Sequence, residues 1–280
     1  MAPRAQLATR EADPLMRIVN LSKEYVQRRP LTRTAFKVSA FEDVNLTIHR
    51  GATLAIVGES GAGKSTLAKC LALLDEPTAG EIWFEGKNLL DLRKSELFLA
   101  HRQIQFIFQD PTSALNPRLT AEEIIAEPLA IQKIGTRDSR RERSLELMEQ
   151  VGLPASSADK RPLEFSGGQR QRLAIARALA LDPKLLILDE ALSSLDLLNQ
   201  RMILTLLADL RAEHSLTYVH ISHDLRLVSE FADEVAVMSQ RCIVEQRPAA
   251  ELFARPEHPD TKALLAAMPS LESICMRRLA

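Results

Sequence analysis

The sequence predicts an α/β protein: a βαβ core preceded by an antiparallel β subdomain and interrupted by an all-helical insertion. Three observations carry that expectation. A glycine-rich loop, Gly58-Glu59-Ser60-Gly61-Ala62-Gly63-Lys64-Ser65, follows the apolar run Leu54-Ala55-Ile56-Val57 and opens a helical run reaching Leu74. From Leu185 onward short apolar runs alternate with helical stretches, the pattern of parallel strands joined by crossover helices. Between these two regions, residues 118–164 are charged and mostly helical in pattern, with Pro128 and Pro154 marking breaks.

Composition bounds what such a fold can be. The 280 residues bury an ample core in one large domain or two modest ones. Lys plus Arg number 36 against 37 Asp plus Glu, a net charge of −1, so no overall basic bias argues for nucleic acid. Cys70, Cys242 and Cys275 are odd in number and far apart, which speaks for reduced, cytosolic thiols rather than a disulfide framework or a Cys-based metal site. Every apolar stretch is interrupted by a charge before the roughly 18–20 residues of a membrane span.

Taken in order, residues 1–16 read as a disordered lead-in, with Arg4 and Arg10 offset by Glu11 and Asp13 and no apolar region of a secretory signal. Ile18-Val19-Asn20-Leu21, Val44-Asn45-Leu46-Thr47-Ile48 and Glu81-Ile82-Trp83-Phe84 alternate as short strands. The basic stretch from Arg28 to Arg33 lies between the first two and reads as an exposed hairpin loop, with an anionic-lipid contact as the alternative. The helical insertion is expected over about residues 100–175. Leu185-Leu186-Ile187-Leu188 is uniformly apolar, as a strand covered on both faces should be. Residues 217–221 and 234–238 read as further strands, with a helix over 197–213. The main domain would then span 17–245, and 246–280 would form a tail.

The loop at 58–65 matches G-x-x-x-x-G-K-[ST], the phosphate-cradling P-loop. Its glycines let backbone curl around an anion, and the helix that follows presents free N–H groups and its positive dipole end. Lys64 can reach the β- and γ-phosphates, and the Ser65 hydroxyl can ligate Mg²⁺. A ligand-free glycine turn is the bland alternative, and the flanking strand and helix decide against it. Asp189-Glu190 ends the apolar run at 185–188, a Walker B pattern: Asp189 can hold Mg²⁺, and Glu190 can take a proton from attacking water. In isolation the pair would be two surface acids ending a strand. In Phe165-Ser166-Gly167-Gly168-Gln169-Arg170, Ser166 can cap a helix whose glycines expose its start to a second anion.

The order of P-loop, Gln109, Ser166-Gly167-Gly168-Gln169, Walker B, Asp196 and His223 resembles the nucleotide-binding subunit of an ABC transporter, over residues 17 to about 270. The resemblance implies a P-loop NTPase of the ABC ATPase type, with ATP and Mg²⁺ as cofactors and a head-to-tail dimer with a second homologous ATP-binding subunit. ATP is then expected on Tyr25, Gly58, Glu59, Ser60, Gly61, Ala62, Gly63, Lys64, Ser65 and Thr66, with Ser166, Gly167, Gly168 and Gln169 acting in trans. It further implies Glu190, His223, Gln109 and Asp196 as catalytic residues, and Ser65, Gln109 and Asp189 at the metal. Tyr25 resembles the aromatic that stacks on adenine, with a half-buried strand aromatic as the alternative. His220 reads as structural. Ala191-Leu192 stand where the family usually has Pro-Thr, and neither position carries a proton or a metal.

Gln109-Asp110-Pro111-Thr112-Ser113-Ala114-Leu115-Asn116-Pro117-Arg118 and the segment from Arg255 to Leu265 are similar to the oligopeptide/dipeptide/nickel importer branch, with Asp260 replacing the usual Tyr. That implies an ATPase energising a membrane importer of di- or oligopeptides, with a nickel importer as the alternative. Two transmembrane permease subunits and, indirectly, an extracytoplasmic substrate-binding protein would be partners, and the chain would sit peripherally on the cytoplasmic face of the inner membrane. No iron–sulfur cluster is expected, since only Cys275 lies near the end. A soluble ABC ATPase acting on ribosomes or DNA would show paired cassettes or a long coiled coil, and neither occurs. An exporter shares the catalytic motifs and loses only on the branch segments.

Overall fold

The computed structural model describes residues 14–28 and 35–267. Two sheets are formed among them. In the first, β1 (Pro14–Arg28), β2 (Ala35–His49), β4 (Ala79–Phe84) and β5 (Lys87–Asn88) pair antiparallel in the order β2-β1-β4-β5. The second contains β3 (Thr53–Gly58), β6 (Ile104–Ile107), β7 (Leu185–Asp189), β8 (Thr217–Ile221), β9 (Glu234–Ser239) and β10 (Cys242–Pro248), ordered β10-β9-β3-β8-β7-β6. Its strands are parallel except for β10 at one edge.

Every residue of β3, β7 and β8 is buried, which explains the predominance of apolar side chains in them and the unbroken apolar run at 185–188. The two-residue period of a strand divides them between faces. Leu185 and Ile187 pack with α1 (Lys64–Leu71) and the antiparallel sheet, whereas Leu186 and Leu188 pack with the helical insertion. The insertion comprises α3 (Pro111–Ala114), α4 (Ala121–Ile131) and α5 (Arg137–Gln150), followed by α6 (Gly167–Leu179). A third apolar cluster joins Ala55, Val57, Val235 and Val237 to α8 (Leu225–Phe231) and α9 (Ala249–Ala254). The remaining helices are α2 (Lys94–Gln103), α7 (Leu197–His214) and α10 (Pro259–Ala266).

Five sequence expectations need correction. β1 begins at Pro14, and Leu15 and Met16 are fully buried, so three residues of the expected lead-in belong to the sheet. The stretch at 100–175 is not wholly helical, because Ile104–Ile107 is an edge strand hydrogen-bonded to β7; the helices of the insertion begin only at Pro111. The helix after the P-loop stops at Leu71, since Leu73 turns into the left-handed region at φ 56°. Pro128 lies inside α4 rather than breaking it. Proline costs only the bond to Ile124, and the helix ends a turn later with Gln132 donating to the Pro128 carbonyl. The tail boundary at 246 falls inside β10, which runs on to Pro248. The expectations for 1–13, for most of the basic loop and for Cys275 lie outside the described residues, although Arg28 pairs with Ala35 across the hairpin.

The segment after β10 is tied to the core by one acid. The Glu245 carboxylate accepts from the amides of Glu257 (3.1 Å) and His258 (3.0 Å). Burial alone would raise this carboxyl, but those hydrogen bonds and the Arg247 charge hold it below the usual range. His258 then caps α10 by accepting from the Asp260 amide.

Candidate active site

The P-loop leaves the C-terminal end of β3, where ligands of parallel sheets collect. Two of its glycines are required by close backbone approach. A Cβ on Gly58 (φ 151°) would lie 2.0 Å from the Met238 carbonyl oxygen, and one on Gly63 (φ 103°) 2.3 Å from that of Ala40. The first turn of α1 has no side-chain cap, so its N–H groups are available to an anion. Glu59, Ser60 and Gly61 form the exposed crest, while Ala62 tucks beneath it. Lys64 is buried, and its ammonium donates to the carbonyls of Gly58 (2.9 Å) and Glu59 (2.8 Å), spanning the loop. Burial pulls its pKa down, and the charges of Glu190 and Asp189 work against that shift.

β7 delivers two acids to the same edge. Ser65 Oγ donates to Asp189 Oδ1 at 2.8 Å. Burial raises the Asp189 carboxyl, and the Glu190 charge adds to the effect. One hydroxyl and one carboxylate at hydrogen-bond distance are hard oxygen donors, the set that suits Mg²⁺ alongside phosphate oxygens. Among the described residues no three or more His, Cys, Asp and Glu side chains gather as a metal cluster of their own.

Glu190 sits at φ +46°, a left-handed conformation that costs a residue with a Cβ about 1 kcal/mol or more. Its amide donates to the Ile221 carbonyl of the neighbouring strand (3.1 Å). The backbone reversal aims the carboxylate at two expected partners. Gln109 Nε2 donates to Glu190 Oε2 at 3.0 Å, and His223 Nδ1 stands 3.6 Å from the same oxygen. Gln109, expected at the metal, thus bonds the Glu190 carboxylate rather than Asp189 or Ser65.

The Ser166–Gln169 segment starts α6. Ser166 Oγ accepts from the Gln169 amide, and Gln169 Oε1 accepts from the Ser166 amide, a reciprocal capping box. Among the described residues it shares no hydrogen bond with the P-loop. Its neighbours are at the start of α7: a Cβ on Gly168 would come within 2.7 Å of Asn199 Oδ1, and one on Gly167 would touch Leu195. Asp196 caps α7 and accepts from Asn199 through both its amide (3.0 Å) and its side chain (2.5 Å). Those bonds hold the Asp196 carboxyl below its usual range. The structure therefore brings Lys64, Ser65, Gln109, Asp189, Glu190 and His223 together, and groups Ser166–Gln169 with Asp196 separately.

Tyr25 on β1 is partly exposed beside the P-loop helix, with its phenol interacting with Thr66 and Asp75. Two neighbours escaped the sequence reading. Lys23, one strand period before Tyr25, and Asp75, after α1, both touch the tyrosine. The Lys23-x-Tyr25 spacing places both side chains on one strand face, which was the available signal. His220 is buried as expected, stacked edge-on to Phe231. Neither ring nitrogen has a hydrogen-bond partner, and His220, Glu190 and His223 all line one cavity of about 220 Å³.

Residues 41–193 match the ABC transporter family. The chain is 48% identical over 263 residues to a probable peptide ABC transporter ATP-binding protein, y4tS, of Sinorhizobium fredii, covering 92% of this chain and 73% of that protein. It is 44% identical to the dipeptide transport ATP-binding protein DppF of Haemophilus influenzae, covering 94% of this chain and 80% of the relative. Among solved structures it resembles an ATP-binding cassette captured as a dimer in a post-hydrolysis state bound to ADP and Pi. That likeness has a TM-score of 0.74 and 32% identity, covering 84% of this chain and 98% of that one. With half the chain matched by the family and relatives this similar along most of its length, the protein belongs to the ABC transporter ATP-binding family.

Proposed function

We propose that this chain hydrolyses ATP to energise a membrane importer of di- or oligopeptides. The observation that carries the hydrolytic part is the convergence of Gln109 and His223 on one oxygen of Glu190, beside the Ser65–Asp189 pair. The peptide branch is supported by relatives named for peptide and dipeptide transport, which favour it over nickel.

In this reading the α1 N-terminus and Lys64 bind the β- and γ-phosphates, and Lys64 turns from its loop carbonyls toward their charge. Ser65 and Asp189 would hold Mg²⁺, which when bound neutralises phosphate charge. Glu190 accepts the proton of the attacking water, Gln109 orients its carboxylate, and His223 contacts the γ-phosphate. ATP and water leave as ADP and phosphate. Ser166, Gly167, Gly168 and Gln169 complete the site of a second, homologous subunit in trans, with Asp196 linking the two sites.

Phe98, Leu99, Phe108 and Ile131 are large exposed apolar residues. They suit contact with two permease subunits, with a substrate-binding protein engaged beyond them. No helix among the described residues is long and apolar enough to cross a membrane, which fits a peripheral subunit on the cytoplasmic face of the inner membrane.

The test is Glu190→Gln, which keeps size and hydrogen bonding but cannot take the proton. Turnover should fall about 10²–10⁴-fold, while ATP–Mg²⁺ drives the variant toward dimer, alone or with its partner ATPase. Wild-type turnover would reduce Glu190 to a strand-end acid.

A further inference from the structure

The contacts around Tyr25 form a closed set that the hydrolytic chemistry does not use. The Tyr25 hydroxyl donates to Asp75 Oδ2. The other carboxylate oxygen accepts from Lys23 Nζ at 2.5 Å, and the same ammonium donates to the Glu76 carbonyl at 2.6 Å. Lys23 Nζ also lies 4.8 Å from the centre of the tyrosine ring, a cation–π distance. The Tyr25 ring is therefore pinned at its tip and held on one face.

Two features separate this cluster from an ordinary surface ion pair. Lys23 is buried, so its ammonium is committed to this geometry and cannot relax into water without disrupting it. The three residues come from both sides of the P-loop helix: Lys23 and Tyr25 from β1, Asp75 from the segment after α1. Rotation of a tyrosine about its first side-chain torsion would break the bond to Asp75, so the ring is fixed relative to the helix that faces the phosphates. The Thr66 hydroxyl, in the first turn of that helix, interacts with the same phenol.

We infer that Lys23 and Asp75 are positioning residues for the nucleotide base: they lock the Tyr25 ring so that its face opposite Lys23 offers a preset stacking platform beside the P-loop. The inference rests on the reading of Tyr25 as the base-stacking residue. Chemically it adds two things. A ring already immobilised loses little further freedom when the base binds. A cation on its far face draws electron density away from the near one, which favours an electron-rich purine.

The experiment compares two ligands, Mg²⁺-ATP and Mg²⁺-tripolyphosphate, the second having phosphates and no base. Binding is titrated to the full chain and to Asp75→Asn, Lys23→Met, Tyr25→Phe and Tyr25→Ala. Removing the ring in Tyr25→Ala should weaken ATP by about tenfold or more, the range of one base–aromatic stack. Asp75→Asn, Lys23→Met and Tyr25→Phe keep the ring and each remove one charge or contact of the lock, so each should weaken ATP about three- to tenfold with tripolyphosphate unchanged. Should Lys23→Met fail to fold, Tyr25→Phe, altered only at a partly exposed hydroxyl, still carries the comparison. Wild-type ATP affinity in the lock variants beside a weakened Tyr25→Ala overturns the positioning role and leaves the base reading standing. Wild-type affinity in Tyr25→Ala overturns the base reading itself. Equal losses for both ligands would mean that the cluster supports the P-loop helix alone, and would also overturn the inference.

Discussion

Lys64 binds its own loop carbonyls and is buried, so its charge is held ready for phosphate at a desolvation cost. Lys64→Ala removes both the cost and the charge. ATP binding should be lost, while the ligand-free melting temperature changes little. Tight ATP binding by the variant would refute the assignment of the loop. His220 gives a second test at this scale. Burial pushes its imidazole down to about 4, against about 6.5 in water. The unfolded chain then binds more protons than the folded one between those values. This contribution to stability is present above about pH 6.5 and is lost as pH falls toward about 4. Its full size is on the order of 3 kcal/mol. His220→Leu should flatten the acid side of a Tm-against-pH curve relative to wild type, and superimposable curves would count against it.

At the scale of elements, the start of α6 is wedged against the start of α7. Gly168→Ala would place a methyl 2.7 Å from Asn199 Oδ1 and push that amide off Asp196. The variant should bind ATP normally as a single subunit, because the P-loop is untouched, yet lose most of its ATPase activity. Ser166→Ala should cost about 1 kcal/mol through loss of the helix cap, read by thermal or denaturant melts. The elements also differ in how legible they were. The strand at 185–189 announces itself because burial on both faces demands the unbroken apolar run at 185–188, and 217–221 follows from its β-branched and aromatic residues. β6 does not: four residues, Ile104-Gln105-Phe106-Ile107, at a sheet edge leave no pattern that separates them from the adjoining helices. The reach of β1 and β2 was hidden because residues such as Lys23, Glu24 and Lys37 pair with one another across the strands or with the segment after α1. Of the site, the loop, both acids, Gln109 and His223 were legible as motifs in order. The Glu190 backbone reversal and the Lys23–Asp75–Tyr25 lock depend on neighbours distant in sequence, and no local pattern encodes them.

For the whole molecule, the Ser166–Gln169 group lies apart from the P-loop group, and on the proposed reading one chain contributes two halves to different sites. ATPase activity should therefore rise more steeply than linearly with protein concentration, or upon adding the partner ATPase. Strict proportionality down to dilutions without detectable dimer would refute the shared site. The strand order has a further consequence, in the timing of synthesis. β3, which carries the P-loop, has β8 and β9 as its two neighbours, and both come from the last quarter of the chain. The phosphate loop is thus among the first segments a ribosome would release and among the last to be completed. A growing chain would expose the edges of β3 throughout that interval, when unpaired strand edges are most prone to misassociate. Nucleotide could not act as a folding template until β9 emerged. A ribosome-stalled chain ending before Glu234 should accordingly fail to retain ATP, although its phosphate-binding motif is complete.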